Sequence, residues 1–237
     1  MLPWIEIDRA DIPGATPDAL SGAAGGGNVG ELRLKSRGEE FSIMLGNNEL
    51  MNSRLSGSEE ALASLAWAKI GERPRPAVLI GGLGMGFTLR AALAILPEGA
   101  EVMVAELVPA VVRWARGPMA SVFKGCLDDR RVTIHEGDVG TCIASARAAY
   151  DAILLDVDNG PDGLTRASND RLYDHHGLRA AHAALRPGGV LAVWSSRPDP
   201  RFTRRLKECG FDADAVSTRA NGKRGGARHV IWLAVKR

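Results

Sequence analysis

Cysteine is scarce in this chain and poorly placed for cross-linking. Cys126, Cys142 and Cys209 are odd in number, widely spaced and form no C-x-x-C pair. That argues against a disulfide framework or a zinc knuckle and for a reducing compartment. Charge imbalance is missing as well. With 30 Lys+Arg against 28 Asp+Glu the formal net charge is +2, so no whole-chain field draws the protein toward nucleic acid or a membrane surface. The basic residues that gather late, between Arg201 and Arg228, read as a solvated face. No apolar run approaches bilayer-spanning length, no basic-then-apolar signal segment opens the chain, and no internal repeat is visible. The expectations are cytoplasmic residence and neither a nucleic-acid nor a membrane partner. What is present, 45% hydrophobic and 24% charged residues over 237 positions, is ordinary for a globular protein able to bury its own core.

The chain divides by composition. Residues 1–30, with Pro3, Pro13, Pro17 and the Gly/Ala tract at 22–27, read as a flexible leader. Residues 31–73 read as a small β extension plus a helix. Alternating pieces at 31–35 and 41–45 form a hairpin, a turn follows at Gly46-Asn47-Asn48, and Ser58 is placed to cap a helix with Ala61, Leu62, Leu65, Ala66 and Ile70 on its apolar face. Residues 74–237 form the main domain. Strands are expected at 77–81, 101–106, 131–135, 151–156, 189–195 and 229–235, and helices near 86–96, 109–116, 140–147, 171–185 and 200–209. Most of the strands are short apolar runs with little alternation, as parallel strands covered on both faces require. The fold class is therefore α/β: a doubly wound, mostly parallel sheet with an antiparallel last strand.

The chemistry-bearing residues fall at strand ends, where ligands of such sheets bind. The first strand breaks into Gly81-Gly82-Leu83-Gly84-Met85-Gly86. The second delivers Glu106, 20 residues after Gly86. The third ends in His135-Glu136-Gly137-Asp138 and the fourth in Asp156. Carboxylates from successive strand ends that converge on one crevice call for a donor-rich ligand, such as a ribose and an adenine amino group. The loop is G-x-G-x-G, which departs from the nicotinamide fingerprint. Consecutive His175 and His176 face different sides of their helix, so no metal is expected there. Trp194 reads as core or pocket wall, the Met51–Arg54 stretch as a connector or a cover over the crevice, and the segment from Asn221 to Arg228 as a turn.

These motifs carry a resemblance. Val78-Leu79-Ile80-Gly81-Gly82, Val104-Ala105-Glu106-Leu107, the run from Asp129 to Asp138, Tyr150 to Asp156 with Gly160-Pro161, and Leu185 to Leu191 resemble the class I S-adenosylmethionine-dependent methyltransferase fold. More narrowly, they resemble the spermidine-synthase family built on it, which also carries an N-terminal hairpin. The resemblance implies that Gly81, Gly82, Gly84 and Gly86 pass the tail of the cofactor. Glu106 then holds the ribose hydroxyls, Leu107 packs on adenine, Asp138 accepts from the adenine amino group and Val139 offers it an amide. Asp156 faces the sulfonium, and Asp156 or Asp158 would act as general base. For Asp158 the simpler reading is a loop residue or a cap.

Departures from the family pattern set the expected reaction. Spermidine synthases place an Asp where this chain has Gly84, and their two-aspartate loop is longer than Asp156-Val157-Asp158-Asn159-Gly160-Pro161. The residues that grip a diamine have no clear counterpart near Met51–Arg54, and Arg54 would repel a polycation if it pointed inward. The leading expectation is methyl transfer from S-adenosylmethionine to a small-molecule acceptor such as an amine. The alternative is aminopropyl transfer from decarboxylated S-adenosylmethionine in polyamine synthesis. A third reading is a non-catalytic protein that binds an adenosyl ligand. The edge of the β extension leaves room for a homodimer.

Overall fold

Val78, Leu79 and Ile80 offer no polar side to a sheet, and all three are buried. They form the middle of β5 (Ala77–Gly81) in the computed structural model, which describes residues 2–14, 30–157, 171–222 and 225–237. Alongside β5 run β6 (Glu101–Glu106), β7 (Val132–Glu136), β8 (Tyr150–Leu155) and β9 (Leu185–Ser195), all parallel. β10 (Phe211–Arg219) and β11 (Arg228–Lys236) close one edge antiparallel. The spatial order is β10-β11-β9-β8-β5-β6-β7. The chain leaves β5 for β6 on one side and later returns to β8 on the other, and this reversal opens a crevice beyond the carboxyl ends of β5 and β8.

Alternate side chains of the sheet feed two apolar layers. Val78, Ile80, Val104 and Ala192 pack with Leu62 of α1 (Gly57–Ile70), Leu89 of α2 (Phe87–Ile95) and Trp114 of α3 (Pro109–Arg116). Phe123, at the end of α4 (Ala120–Phe123), joins that layer. On the other face Leu79, Ile153 and Leu191 pack with Ile143 of α5 (Val139–Ser145), Leu178 of α6 (His175–Ala184) and Phe202 of α7 (Pro200–Glu208). The doubly wound, mostly parallel sheet expected from the sequence is the architecture observed.

The N-terminal extension is a separate four-stranded antiparallel sheet, β1 (Ile5–Asp11), β2 (Glu31–Arg37), β3 (Glu40–Leu45) and β4 (Asn48–Asn52). Leu32, Leu34, Ile43 and Leu45 turn inward to join the core. β1 lies inside the stretch read as a loose leader. Its Ile5 and Ile7 are exposed, so it shows no buried face to a pattern search. Pairing with β2 supplies its order, and Asp8 Oδ2 accepts from the Trp114 indole N–H at 2.7 Å. That hydrogen bond also holds the Asp8 carboxyl below its usual range.

Three further boundaries differ from the sequence reading. β9 starts at Leu185, ahead of Gly188-Gly189, by way of a register irregularity against β8. The expected 171–185 helix is interrupted at Asp174, whose side chain accepts from Gly177 N–H at 2.8 Å and starts α6. β10 was not expected at all, because an edge strand with exposed Asp212 and Asp214 has a weak apolar signal.

At the end of β8 remote from the crevice, Asp151 is 1% exposed and binds the Arg73 guanidinium, Arg186 Nη1 at 2.7 Å and the Ala77 N–H at 2.8 Å. One carboxylate thus pins β8, β5 and the start of β9 together. Removing it strands an amide and two guanidiniums. Asp151→Ala is expected to lose about 3 kcal/mol of unfolding free energy in urea titration; a loss below about 1 kcal/mol would show that the clamp is dispensable.

Candidate functional site

The glycine loop after β5 is shaped by what presses on it. At Gly82, φ is +88°, and a Cβ there would lie 2.5 Å from the Asp156 carbonyl oxygen, so only glycine lets the loops after β5 and β8 approach this closely. At Gly86, φ is +73° and a Cβ would meet the Phe123 ring at 2.6 Å. Gly86 therefore serves helix packing, and Gly81 abuts Val139 and Leu155. Gly82 and Gly84 line the crevice; Gly81 and Gly86 do not.

Two joined cavities occupy the crevice. The first, about 130 Å³, is lined by Gly82, Gly84, Glu106, Leu107, Asp138, Val139 and Asp156, with Leu32, Leu45, Leu50 and Met51 of the N-terminal sheet, and Ile12 just after β1, closing it. The second, about 80 Å³, is lined by Glu59, Leu83, Met85, Phe87 and Trp194. Leu50, Met51, Gly84 and Asp156 belong to both and form a waist between them. A larger open groove of about 790 Å³ lies between α2 and the turn at 126–128, away from this convergence.

Glu106 is 7% exposed, and each of its oxygens accepts one backbone N–H, from Leu83 and from Val108, both at 2.8 Å. Burial pushes its carboxyl up, and these amides oppose the shift. The Gly84 and Leu107 amides also act on this carboxyl, which lies on the cavity wall. Asp138 caps α5 by accepting from Gly140 N–H at 2.7 Å and still faces the cavity. Val139 begins that helix, where an amide has no intrahelical partner. Asp156 accepts from Thr88 Oγ1 at 2.7 Å. Burial, reinforced by the neighbouring Glu59 carboxylate, pushes Asp156 up to about 7.

Asp158 lies outside the described residues, as do Asn159, Gly160 and Pro161. Arg54 turns away from the crevice: its Nη2 contacts Glu49 at 3.0 and 3.1 Å, and its guanidinium sits over Trp4. Met51 does cover the site, its sulfur 3.3 Å from where a Gly84 Cβ would be. His175 pairs with Glu208 at 3.0 Å on the exterior. Among the described residues no group of three or more His, Cys, Asp or Glu side chains could hold a metal ion, and no helix is long and apolar enough to cross a membrane.

The sequence reading missed Glu59, Thr88 and His229, and it misplaced Ser58. α1 begins at Gly57 with Ser56 as its cap position, so Ser58 lies inside the helix and is fully buried. Its hydroxyl contacts Glu59 Oε2 at 2.6 Å and His229 Nδ1 at 2.9 Å. A serine just ahead of two glutamates reads as a helix cap, which hid this, and His229 is too distant in sequence to leave any local pattern.

A family profile described as the spermine/spermidine synthase domain matches residues 57–201, from α1 to the first turn of α7, and so leaves out the cover residues Leu50 and Met51. The chain belongs to this family. Among curated relatives, the polyamine aminopropyltransferase of Nitrosomonas europaea is 34% identical over 125 residues, 53% of this chain and 36% of that protein. Polyamine aminopropyltransferase 1 of Streptomyces coelicolor is 36% identical over 128 residues, 53% of this chain and 23% of that protein. The match thus spans about a third or less of these relatives. Among solved structures, the spermidine synthase of Thermotoga maritima superposes with a TM-score of 0.67 at 18% identity, covering 90% of this chain and 71% of that one. A spermidine synthase in complex with the transition-state analogue AdoDATO gives 0.68 at the same identity and coverage. These structures establish a shared fold.

The raised Asp156 carboxyl makes a prediction about stability. Its folded pKa lies above its unfolded value, so the folded state holds an extra proton between about pH 4 and 7, and stability falls as pH rises through that window. Asp156→Asn is expected to flatten that slope and raise stability at pH 8, by no more than about 4 kcal/mol at 1.36 kcal/mol per unit. An unchanged slope in denaturant titrations across pH would contradict the assignment.

Proposed function

We propose that this protein transfers an aminopropyl group from decarboxylated S-adenosylmethionine to a small amine. The observation that carries the reading is the sign of the site. The two cavities are lined by Glu59, Glu106, Asp138 and Asp156, and by no Lys, Arg or His among the described residues. In a partly desolvated crevice a charge without a counter-ion costs several kcal/mol or more. The α-carboxylate that intact S-adenosylmethionine carries beside its ammonium would find no cationic side chain here among the described residues, whereas the ammonium of the decarboxylated donor, and that of an amine acceptor, would meet carboxylates.

Arg54, which would weigh against an amine acceptor if it pointed inward, lines neither cavity, and Met51 packs beside Gly84 where the family places an Asp. The relatives named polyamine aminopropyltransferase support the same ordering, with methyl transfer second. A non-catalytic binder of the adenosyl ligand gains no support from a carboxyl poised near neutral pH at the waist.

In this reading the first cavity takes the nucleoside. Glu106 accepts from the ribose hydroxyls, Asp138 accepts from the adenine amino group and Leu107 packs on the base. The donor supplies a sulfonium leaving group. The protein aligns the acceptor nitrogen with the carbon bonded to sulfur and excludes water. Asp156 takes one proton from the acceptor ammonium. The freed nitrogen then forms the N–C bond as the C–S bond breaks, its electron pair going to sulfur, and the products are a secondary ammonium and methylthioadenosine. A carboxyl near pH 7 suits that task.

Mass spectrometry of reactions with each donor and a panel of amines tests the reading. Methylthioadenosine from the decarboxylated donor is the expected product, with Asp156→Asn slower by about 100-fold or more. S-adenosylhomocysteine formed from the intact donor would restore methyl transfer to first place.

A further inference from the structure

The second cavity contains a carboxylate with its own supporting hydrogen-bond chain. Glu59 enters from the first turn of α1 and faces Asp156 across the cavity. Ser58 contacts Glu59 Oε2 at 2.6 Å, and His229, carried from the far edge of the sheet by β11, places Nδ1 2.9 Å from the same hydroxyl. A serine hydroxyl has one proton. When it goes to the ionised Glu59, the Ser58 oxygen is left as an acceptor and His229 Nδ1 must be the donor. The chain then runs Nδ1–H to Oγ, Oγ–H to Oε2, and every link favours a charged Glu59. Trp194, a wall of the cavity, packs edge-on against the imidazole at 4.7 Å and keeps it in place.

The geometry points to Glu59 as the carboxylate that binds the acceptor's ammonium group, with Ser58 and His229 as positioning residues that set its direction and its charge. The assignment rests on the amine-transfer reading above and adds to it the residue that selects the acceptor. Asp156 and Glu59 share one small cavity, and two neighbouring carboxyls there do not both ionise readily. Each accepts from one hydroxyl, Asp156 from Thr88 and Glu59 from Ser58, and the difference is that Ser58 is itself backed by His229. Glu59 carries the charge, and that charge adds to burial in holding Asp156 up near neutral pH, where it can exchange a proton.

Burial pushes Glu59 up as well, against the Ser58 hydrogen bond, which is why that donor matters. The ionisable groups facing Glu59 are Asp156 from the end of β8, Glu60 from α1 itself and, through Ser58, His229 from β11. α2 and β9 contribute Thr88, Phe87 and Trp194, none of them ionisable at neutral pH. Burial lowers the His229 pKa and so disfavours the charged ring.

The test is calorimetric binding of butane-1,4-diamine to the protein saturated with methylthioadenosine, measured across pH, with thermal unfolding as the folding control. Glu59→Gln is expected to weaken diamine binding about 10- to 100-fold without weakening methylthioadenosine. Ser58→Ala and His229→Ala are expected to move the acid limb of diamine binding to higher pH, because Glu59 then ionises later, with affinity recovering in alkaline solution. His229→Asn, which keeps a donor near the Nδ1 position, is expected to restore the limb toward wild type.

Wild-type affinity in Glu59→Gln overturns the inference, as does an unmoved limb in folded Ser58→Ala or no diamine binding by the wild type. Diamine binding with the expected shifts, but no methylthioadenosine from the decarboxylated donor, supports the Glu59 assignment and refutes the transfer reading instead.

Discussion

The site depends on crowding acids where nothing neutralises them. Asp156 and Glu59 reach one small cavity from opposite elements, and no cationic side chain among the described residues accompanies them. An unpaired charge in such a place is costly, so the protein distributes the cost. Thr88 donates to Asp156, Ser58 donates to Glu59, and one carboxyl of the two keeps its proton near neutral pH. The same crowding underlies the preference proposed for the crevice, since the species best able to relieve it is a cation.

The scaffold holds that tension in place. The reversal between β6 and β8 around β5 puts the glycine loop and Asp156 side by side, and Gly82 permits backbone-to-backbone contact between them. The N-terminal sheet covers the crevice with Leu50 and Met51, and the Asp8–Trp114 hydrogen bond ties that cover to α3. The turn between β10 and β11 packs on the start of α1, where a Cβ at Gly57 would clash with Gly222 N at 2.2 Å. The helix bearing Glu59 is thereby fixed against the strand bearing His229. The Asp151 clamp holds β8 from its other end, so the strand that presents Asp156 is anchored on both sides.

Much of this was legible in residue order. β5, β6 and β8 are apolar because both faces are buried, and the acids that follow β6, β7 and β8 had to meet beyond them. Glu106, Leu107, Asp138, Val139 and Asp156 do line one cavity. The unreadable parts share a physical cause. β1 and β10 draw their order from pairing at sheet edges, and edges leave side chains exposed and uninformative. Glu59 looked like any first-turn acid of a helix, and Ser58 like any cap. What distinguishes them is a histidine 171 residues away. The sign of the whole crevice was equally hidden. Arg54 is adjacent in sequence to the cover strand, and only the fold shows that its charge is spent on Glu49 and Trp4.

The central claim is that the crevice discriminates by charge. Calorimetric titration of the wild-type protein with decarboxylated and with intact S-adenosylmethionine, under one buffer and salt condition, tests it most directly. The account predicts that the decarboxylated form binds tighter by about 10-fold or more, a difference of at least ~1.4 kcal/mol, and that added salt narrows the gap. Equal affinity, or tighter binding of the carboxylate-bearing form, would contradict it.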